Sequence, residues 1–221
     1  MQQKLKNIKA VIFDMDGVLF DTEQVYLDIW TRVCKRYGYE MTKEIYCKVI
    51  ATGRENVKRV FREEFGDNIP IEEMYKEKDE ILAKELEKNI PIKKGAYELL
   101  KDLKNKNYKL ALATSASKER MEKQLKKADF TNLFDEVVCR DEVKETKPNP
   151  EIFLKAAEKL GIEPKECIVI EDSLAGVKAA YKGNMFPIHV VDLKEVDKEI
   201  EKYSYKSFND LIEIKKEIFN S

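Results

Sequence analysis

Four apolar residues, Ala10-Val11-Ile12-Phe13, run without a break into Asp14-Met15-Asp16-Gly17. A short continuous apolar run reads as a strand buried on both faces, which is the habit of parallel sheets. Two carboxylates two residues apart then stand where the strand ends, and a glycine follows. In open parallel sheets ligands bind at the carboxyl ends of the strands. A pair of charges is costly to bury unless a cation accepts it. The run therefore points to a metal site at a sheet edge, and to chemistry there.

The rest of the chain extends this pattern. Apolar strands are read at 9–14, 108–113, 136–139, 167–171 and 187–191, with helices at 95–106, 118–128, 150–160, 174–183 and 208–219 between and after them. Such alternation implies right-handed βαβ units and a parallel sheet covered on both faces. One block breaks the rhythm. After the first strand come helices at 24–37, 42–51, 54–66 and 71–88, with no convincing strand. The expected architecture is α/β: a Rossmann-like core of residues 1–20 and 92–221, with an all-helical insertion at 21–91. At 221 residues the chain is long enough for a core and a smaller second unit.

Charge and cysteine usage narrow the function. Basic and acidic residues number 41 and 42, so no clustered positive footprint for nucleic acid is expected. No window approaches a membrane span, and Met1 to Lys9 lack the pattern of a signal peptide. Cys34, Cys47, Cys139 and Cys167 are scattered without a Cys-x-x-Cys, which reads as reduced thiols in a cytoplasmic protein. A single histidine, His189, excludes histidine triads and multi-histidine metal sites. It falls in a strand away from the acidic run and reads as structural. Carboxylates and lysine must carry the chemistry.

A parallel sheet gathers four strand ends on one edge. They offer Asp14 and Asp16; Thr114, with Ser115 and Ser117 close by before a helix; Lys147, just ahead of a helix begun by Pro150; and Glu171-Asp172-Ser173, where Asp172 is expected to cap the following helix in part. Carboxylate oxygens without histidine or thiolate suit Mg²⁺. A lysine, a hydroxyl and the free N–H groups of a helix start suit a phosphate. Together they describe phosphoryl transfer to a carboxylate, with metal and lysine neutralising charge.

The run Asp14-Met15-Asp16-Gly17-Val18-Leu19-Phe20-Asp21-Thr22 resembles the first motif of the haloacid dehalogenase-like superfamily. Thr114, Lys147-Pro148 and Glu171-Asp172 are similar to its second, third and fourth motifs, in order. The helical block resembles the cap of the branch holding phosphatases and β-phosphoglucomutases. The resemblance implies that Asp14 attacks phosphorus, and that Asp16 protonates the leaving alcohol and then activates water. It also implies that Asp14, the backbone carbonyl of Asp16, Asp172 and nearby Glu171 hold Mg²⁺, while Thr114 and Lys147, with Ser115 beside them, bind phosphoryl oxygens. Asp16 favours phosphate esters, because the dehalogenase and phosphonate branches generally lack that second aspartate. Gly53-Arg54-Glu55 resembles the cap loop in which an arginine holds the substrate's distal group. Glu23 and Tyr26 follow the first motif toward the cap entrance. Lys78 falls where a cap lysine could face the core, but in a stretch full of lysines it reads as one surface lysine among many.

The implied function is a Mg²⁺-dependent phosphatase of a small phosphorylated metabolite such as a sugar phosphate. The alternative is a β-phosphoglucomutase using the same phosphoenzyme. That branch places a histidine where this chain has Tyr26, which favours hydrolysis. A non-catalytic binding module of the same fold predicts decayed motifs, whereas all four are intact here.

Overall fold

The central strand of the sheet is β1 (Ala10–Phe13), all four residues of which are buried. A computed structural model describes residues 7–50, 54–88, 90–193 and 198–220. On one side of β1 lie β2 (Lys109–Ala113) and then β3 (Glu136–Val138). On the other lie β4 (Cys167–Glu171), β5 (Phe186–Val190) and β6 (Lys206–Phe208). Every pairing is parallel. Phe13 is in register with Leu112 and Ile170, so the residues after all three strands emerge at one edge.

The chain divides into two compact units, Met1–Phe20 with Ile92–Ser221, and Asp21–Pro91. In the first unit the period-2 alternation of the strands sends Ala10, Ile12, Ala111, Ala113 and Val169 into one shared cluster. Helix α7 (Glu151–Leu160) meets that cluster with Ile152, Phe153, Ala156 and Ala157, an apolar stripe at helical spacing. Phe153 is fully buried, and such a side chain contributes about 1.5–3 kcal/mol over its exposed state. Helix α5 (Ala96–Asn105) packs on β2, and α8 (Leu174–Lys182) packs on β4 and β5. Helix α6 (Lys118–Lys127) springs from the end of β2 and is capped by the Ser117 hydroxyl, which accepts from the Arg120 N–H.

The second unit contains α1 (Thr22–Arg36), α2 (Lys43–Cys47), α3 (Arg54–Phe65) and α4 (Ile71–Lys88), with no strand among its described residues. Its core is aromatic. Trp30 meets Phe61 at 4.8 Å and Tyr75 at 5.1 Å between ring centroids, both edge-on, an arrangement that ring quadrupoles favour. Gly53 and Ala51, in the loop and helix end read from sequence, lie outside the described residues.

The C-terminal region departs from expectation. A helix α9 (Lys198–Tyr203) and the edge strand β6 precede α10 (Leu211–Ile214), which continues as a π-helical turn over Lys215–Phe219. The helix expected from 208 therefore starts three residues later. Phe208 belongs to β6, paired with Val190, and Asp210 caps the helix by accepting from the Glu213 N–H. None of the helices among the described residues is long and apolar enough to cross a membrane.

Candidate active site

The loop that leaves β1 is wound tightly. The Asp14 N–H donates to the Ile170 carbonyl at 3.0 Å, and both Leu19 and Phe20 donate back to the Met15 carbonyl. Met15, Val18, Leu19 and Phe20 are fully buried, so the loop is anchored by its apolar residues while its aspartates face the sheet edge. Gly17 makes this possible. Its φ is +74°, and a Cβ there would stand 2.2 Å from Asp172 Oδ2. Any side chain would both strain the backbone and strike the acid on the neighbouring strand end.

Lys147 ties the acids together. Its ammonium donates to Asp14 Oδ1 and to Glu171 Oε1, both at 2.6 Å, and lies 4.8 Å from the centre of the Phe153 ring. The Lys147 side chain is 8% exposed and that of Glu171 1%. Burial opposes the lysine's charge, but the two carboxylates overcome it and raise its pKa. Glu171 Oε2 accepts from both the N–H and the hydroxyl of Ser173, at 2.7 and 2.9 Å. Both of its oxygens are thus engaged within the protein. Gly176 leaves the room for this, since a Cβ there would fall 1.8 Å from Glu171 Oε1. The sequence expectation that Asp172 caps the next helix is corrected. Ser173 is the cap, accepting from the Gly176 N–H at 3.0 Å, which leaves the Asp172 carboxylate for other work.

Asp14, Glu171 and Asp172 each bring a carboxylate oxygen within 4.8 Å of the others. Burial pushes the Asp14 carboxyl up to about 7, with Lys147 pulling it back and Glu171 and Asp16 adding to the rise. Asp172 is raised well above the usual range, first by burial and then by the Glu171 and Asp14 charges. The local acids outnumber Lys147, and all the donors are hard oxygens. This is a set that could hold a metal ion, and a divalent cation would relieve the strain that the raised values express.

Thr114 is buried at the end of β2, its hydroxyl accepting from the Ala116 N–H at 3.1 Å, whereas Ser115 is exposed. Asp16 is half-buried and accepts a hydrogen bond from Arg120 on α6. Sequence reading missed Arg120 among the many charges of that helix. Its first-turn position, directly after the Thr114 strand end, was the available signal. His189 also corrects an expectation, because it is bonded to a motif rather than set apart from one. Its Nε2 lies 3.0 Å from the Asp172 carbonyl and its Nδ1 3.1 Å from the Ser207 hydroxyl. A carbonyl only accepts, so Nε2 carries the proton and Nδ1 accepts from Ser207. Burial lowers the His189 pKa, which suits this neutral form.

Arg54, Glu23 and Tyr26 belong to the helical unit. Glu23 accepts from the Tyr46 hydroxyl at 2.6 Å, and the Arg54 guanidinium stacks 4.2 Å from the Tyr75 ring centre with Asp79 at 3.4 Å. Lys78 is not the surface lysine expected. It is buried, with the Tyr26 and Tyr75 rings each 5.4 Å and the Trp30 ring 6.0 Å from its ammonium.

Comparison with known proteins agrees with this arrangement. Residues 11–190 match the model for haloacid dehalogenase-like hydrolases. A Thermotoga maritima protein described as a phosphorylated carbohydrates phosphatase is 35% identical over 188 residues, 83% of this chain and 85% of that protein. The structure of β-phosphoglucomutase from Clostridium difficile is similar with a TM-score of 0.69 at 27% identity, covering 96% of this chain and 97% of that one. A hydrolase from Deinococcus radiodurans R1, crystallised with bound phosphate and sodium, shares the fold with a TM-score of 0.86 at 22% identity, over 95% of this chain and 94% of that one. A six-stranded parallel sheet, acids gathered at its edge and a sequence match across most of the length lead to one conclusion: the chain belongs to the haloacid dehalogenase-like hydrolase family, in its β-phosphoglucomutase- and phosphatase-like branch.

Proposed function

We propose that the protein is a cytoplasmic, Mg²⁺-dependent phosphatase of a small phosphorylated metabolite, of the sugar-phosphate class, working through an aspartyl-phosphate on Asp14. The observation that carries this reading is the buried Lys147, bridging Asp14 and Glu171 beside the Asp172 carboxylate. A surface ion pair needs no such burial. A site that must receive a dianionic phosphoryl group and a cation does.

In this reading an Asp14 carboxylate oxygen attacks phosphorus, forming the O–P bond as the bond to the ester oxygen breaks. Asp16 gives its proton to the departing alcohol, then takes one from the water that attacks the phosphoenzyme, and inorganic phosphate leaves. A positioned acid of this kind contributes about 10²–10⁴-fold. Lys147, Thr114 and Ser115 hold the phosphoryl oxygens. Asp14, the Asp16 carbonyl and Asp172, with Glu171 nearby, are the residues that would hold Mg²⁺, which when bound offsets the charge of phosphate and carboxylates. Since both Glu171 oxygens are already engaged, its part is to fix Lys147 and the Ser173 turn. Arg54, Glu23 and Tyr26 are proposed to recognise the remainder of the substrate.

The test is phosphate release from a panel of sugar and nucleotide monophosphates with Mg²⁺, run beside Asp14→Asn. Full activity in that variant sinks the mechanism. The mutase alternative is separated by incubation with β-glucose 1-phosphate and a trace of glucose 1,6-bisphosphate. Free phosphate is expected, and glucose 6-phosphate without it would overturn the phosphatase reading.

A further inference from the structure

The proposed acid/base does not stand alone at the sheet edge. A guanidinium nitrogen of Arg120, Nη2, donates to Asp16 Oδ1, and the two side chains are 34% and 27% exposed. Arg120 is the third residue of α6, the helix that leaves the same strand end as Thr114. Its backbone is held there, because its N–H donates to the Ser117 cap and the neighbouring Lys118 N–H donates to Asp141 at 2.7 Å. The guanidinium therefore belongs to the same compact unit as Asp14 and Asp16, and it touches the very carboxylate proposed to protonate the leaving alcohol.

Two consequences follow from the chemistry of arginine. Its planar fork carries five N–H donors, and one bond to Asp16 leaves others for a second acceptor. A fork of this kind pairs with carboxylate and phosphate two bonds at a time. When the Asp16 carboxyl turns to the ester oxygen, the half-buried guanidinium loses an anionic partner, and a donor left unmatched there is unfavourable. A substrate whose alcohol portion carries its own anion replaces that partner in the same event.

We propose that Arg120 is a specificity-determining residue that selects phosphate monoesters whose leaving alcohol bears a second acidic group, a carboxylate or a further phosphate, a few bonds from the ester oxygen. The inference rests on the phosphatase reading with Asp16 as its acid/base.

A matched pair of esters tests it. 3-Phosphoglycerate and racemic glycerol phosphate differ chiefly in a carboxylate against a hydroxymethyl group. The wild type is expected to favour 3-phosphoglycerate in kcat/KM. In Arg120→Ala the ratio of the two kcat/KM values is expected to fall at least tenfold, mainly through KM for 3-phosphoglycerate. Arg120→Lys, which keeps the charge without the fork, is expected to recover part of it. A wild type that favours glycerol phosphate overturns the proposal. So does a uniform loss that leaves the ratio intact, since that describes a residue acting only through Asp16. Wild-type protein that releases phosphate from neither ester nor from any member of the phosphate panel overturns the phosphatase reading itself, and this inference with it.

Discussion

Each unit of the molecule holds a buried lysine, and the two are satisfied by opposite means. The side chain of Lys147 in the α/β unit is 8% exposed and that of Lys78 in the helical unit 9%. Lys147 is met by two carboxylates that are themselves buried. Lys78 is met by the faces of Tyr26, Tyr75 and Trp30 and by Asp79, a half-exposed acid. The first arrangement takes several charges out of water at once and holds together only because they answer one another. The second takes out one charge and surrounds it with polarisable rings, which suffices for a single cation. Similar burial thus marks the proposed reactive centre in one region and a packing solution in the other. What separates them is the number of acids that must be buried alongside.

The sharpest break between the regions is catalytic. Asp14→Asn should lower phosphate release by roughly 10³-fold or more, whereas Asp79→Asn beside Lys78 should leave turnover within the same decade. Comparable losses in the two variants would erase the distinction. Next in size is stability. Lys147→Met strands Asp14 and Glu171 against each other and should cost about 3–5 kcal/mol in urea unfolding. Lys78→Met leaves no buried acid behind and should cost about 0.5–2 kcal/mol. Gly176→Ala falls between the two: it should cost about 1–3 kcal/mol by driving a methyl group into Glu171, and should weaken turnover by displacing Lys147.

The smallest effect is a pH dependence. Asp14 rises from 3.8 to about 7 in the folded, metal-free protein, and Asp172 rises as well. A carboxylate whose folded pKa lies above its unfolded value contributes stability that is complete below the unfolded value and is lost as pH rises through the folded one. The metal-free Tm should therefore decline from about pH 4 to about pH 7. The Tm increase given by Mg²⁺ should grow over the same range, because cation and proton compete for the same oxygens. Lowered carboxylates such as Glu142, Glu151 and Asp210 act below that window. A Mg²⁺ increment equal at pH 5 and pH 8, measured by calorimetry, would falsify the competition.

The legible parts of the sequence were those where one residue type has few alternatives. Ala10–Phe13 and Cys167–Glu171 announce themselves because central parallel strands tolerate almost nothing polar. Asp14, Lys147, Glu171 and Asp172 were found together because a parallel sheet delivers its strand ends to one edge, whatever lies between them in sequence. Lys206–Phe208 was missed because an edge strand of three residues, with only Phe208 buried, carries no period long enough to read. Arg120 was missed for a related reason. On a helix reading Lys-Glu-Arg-Met-Glu-Lys-Gln-Leu-Lys-Lys, a residue that reaches the site looks the same as one that reaches water. Lys78 deceived in the opposite direction, since its burial depends on Tyr26 and Trp30 of α1 as well as on Tyr75, one turn back on its own helix.

The tie between His189 and Asp172 has a practical side. The chain contains a single imidazole, and that imidazole holds the backbone carbonyl of one of the proposed cation ligands. Nitrogen NMR of uniformly labelled protein will therefore show one pair of ring signals, free of overlap and assignable without mutagenesis. The unaltered protein carries its own reporter, placed one hydrogen bond from the loop whose loading with cation and phosphate is to be followed.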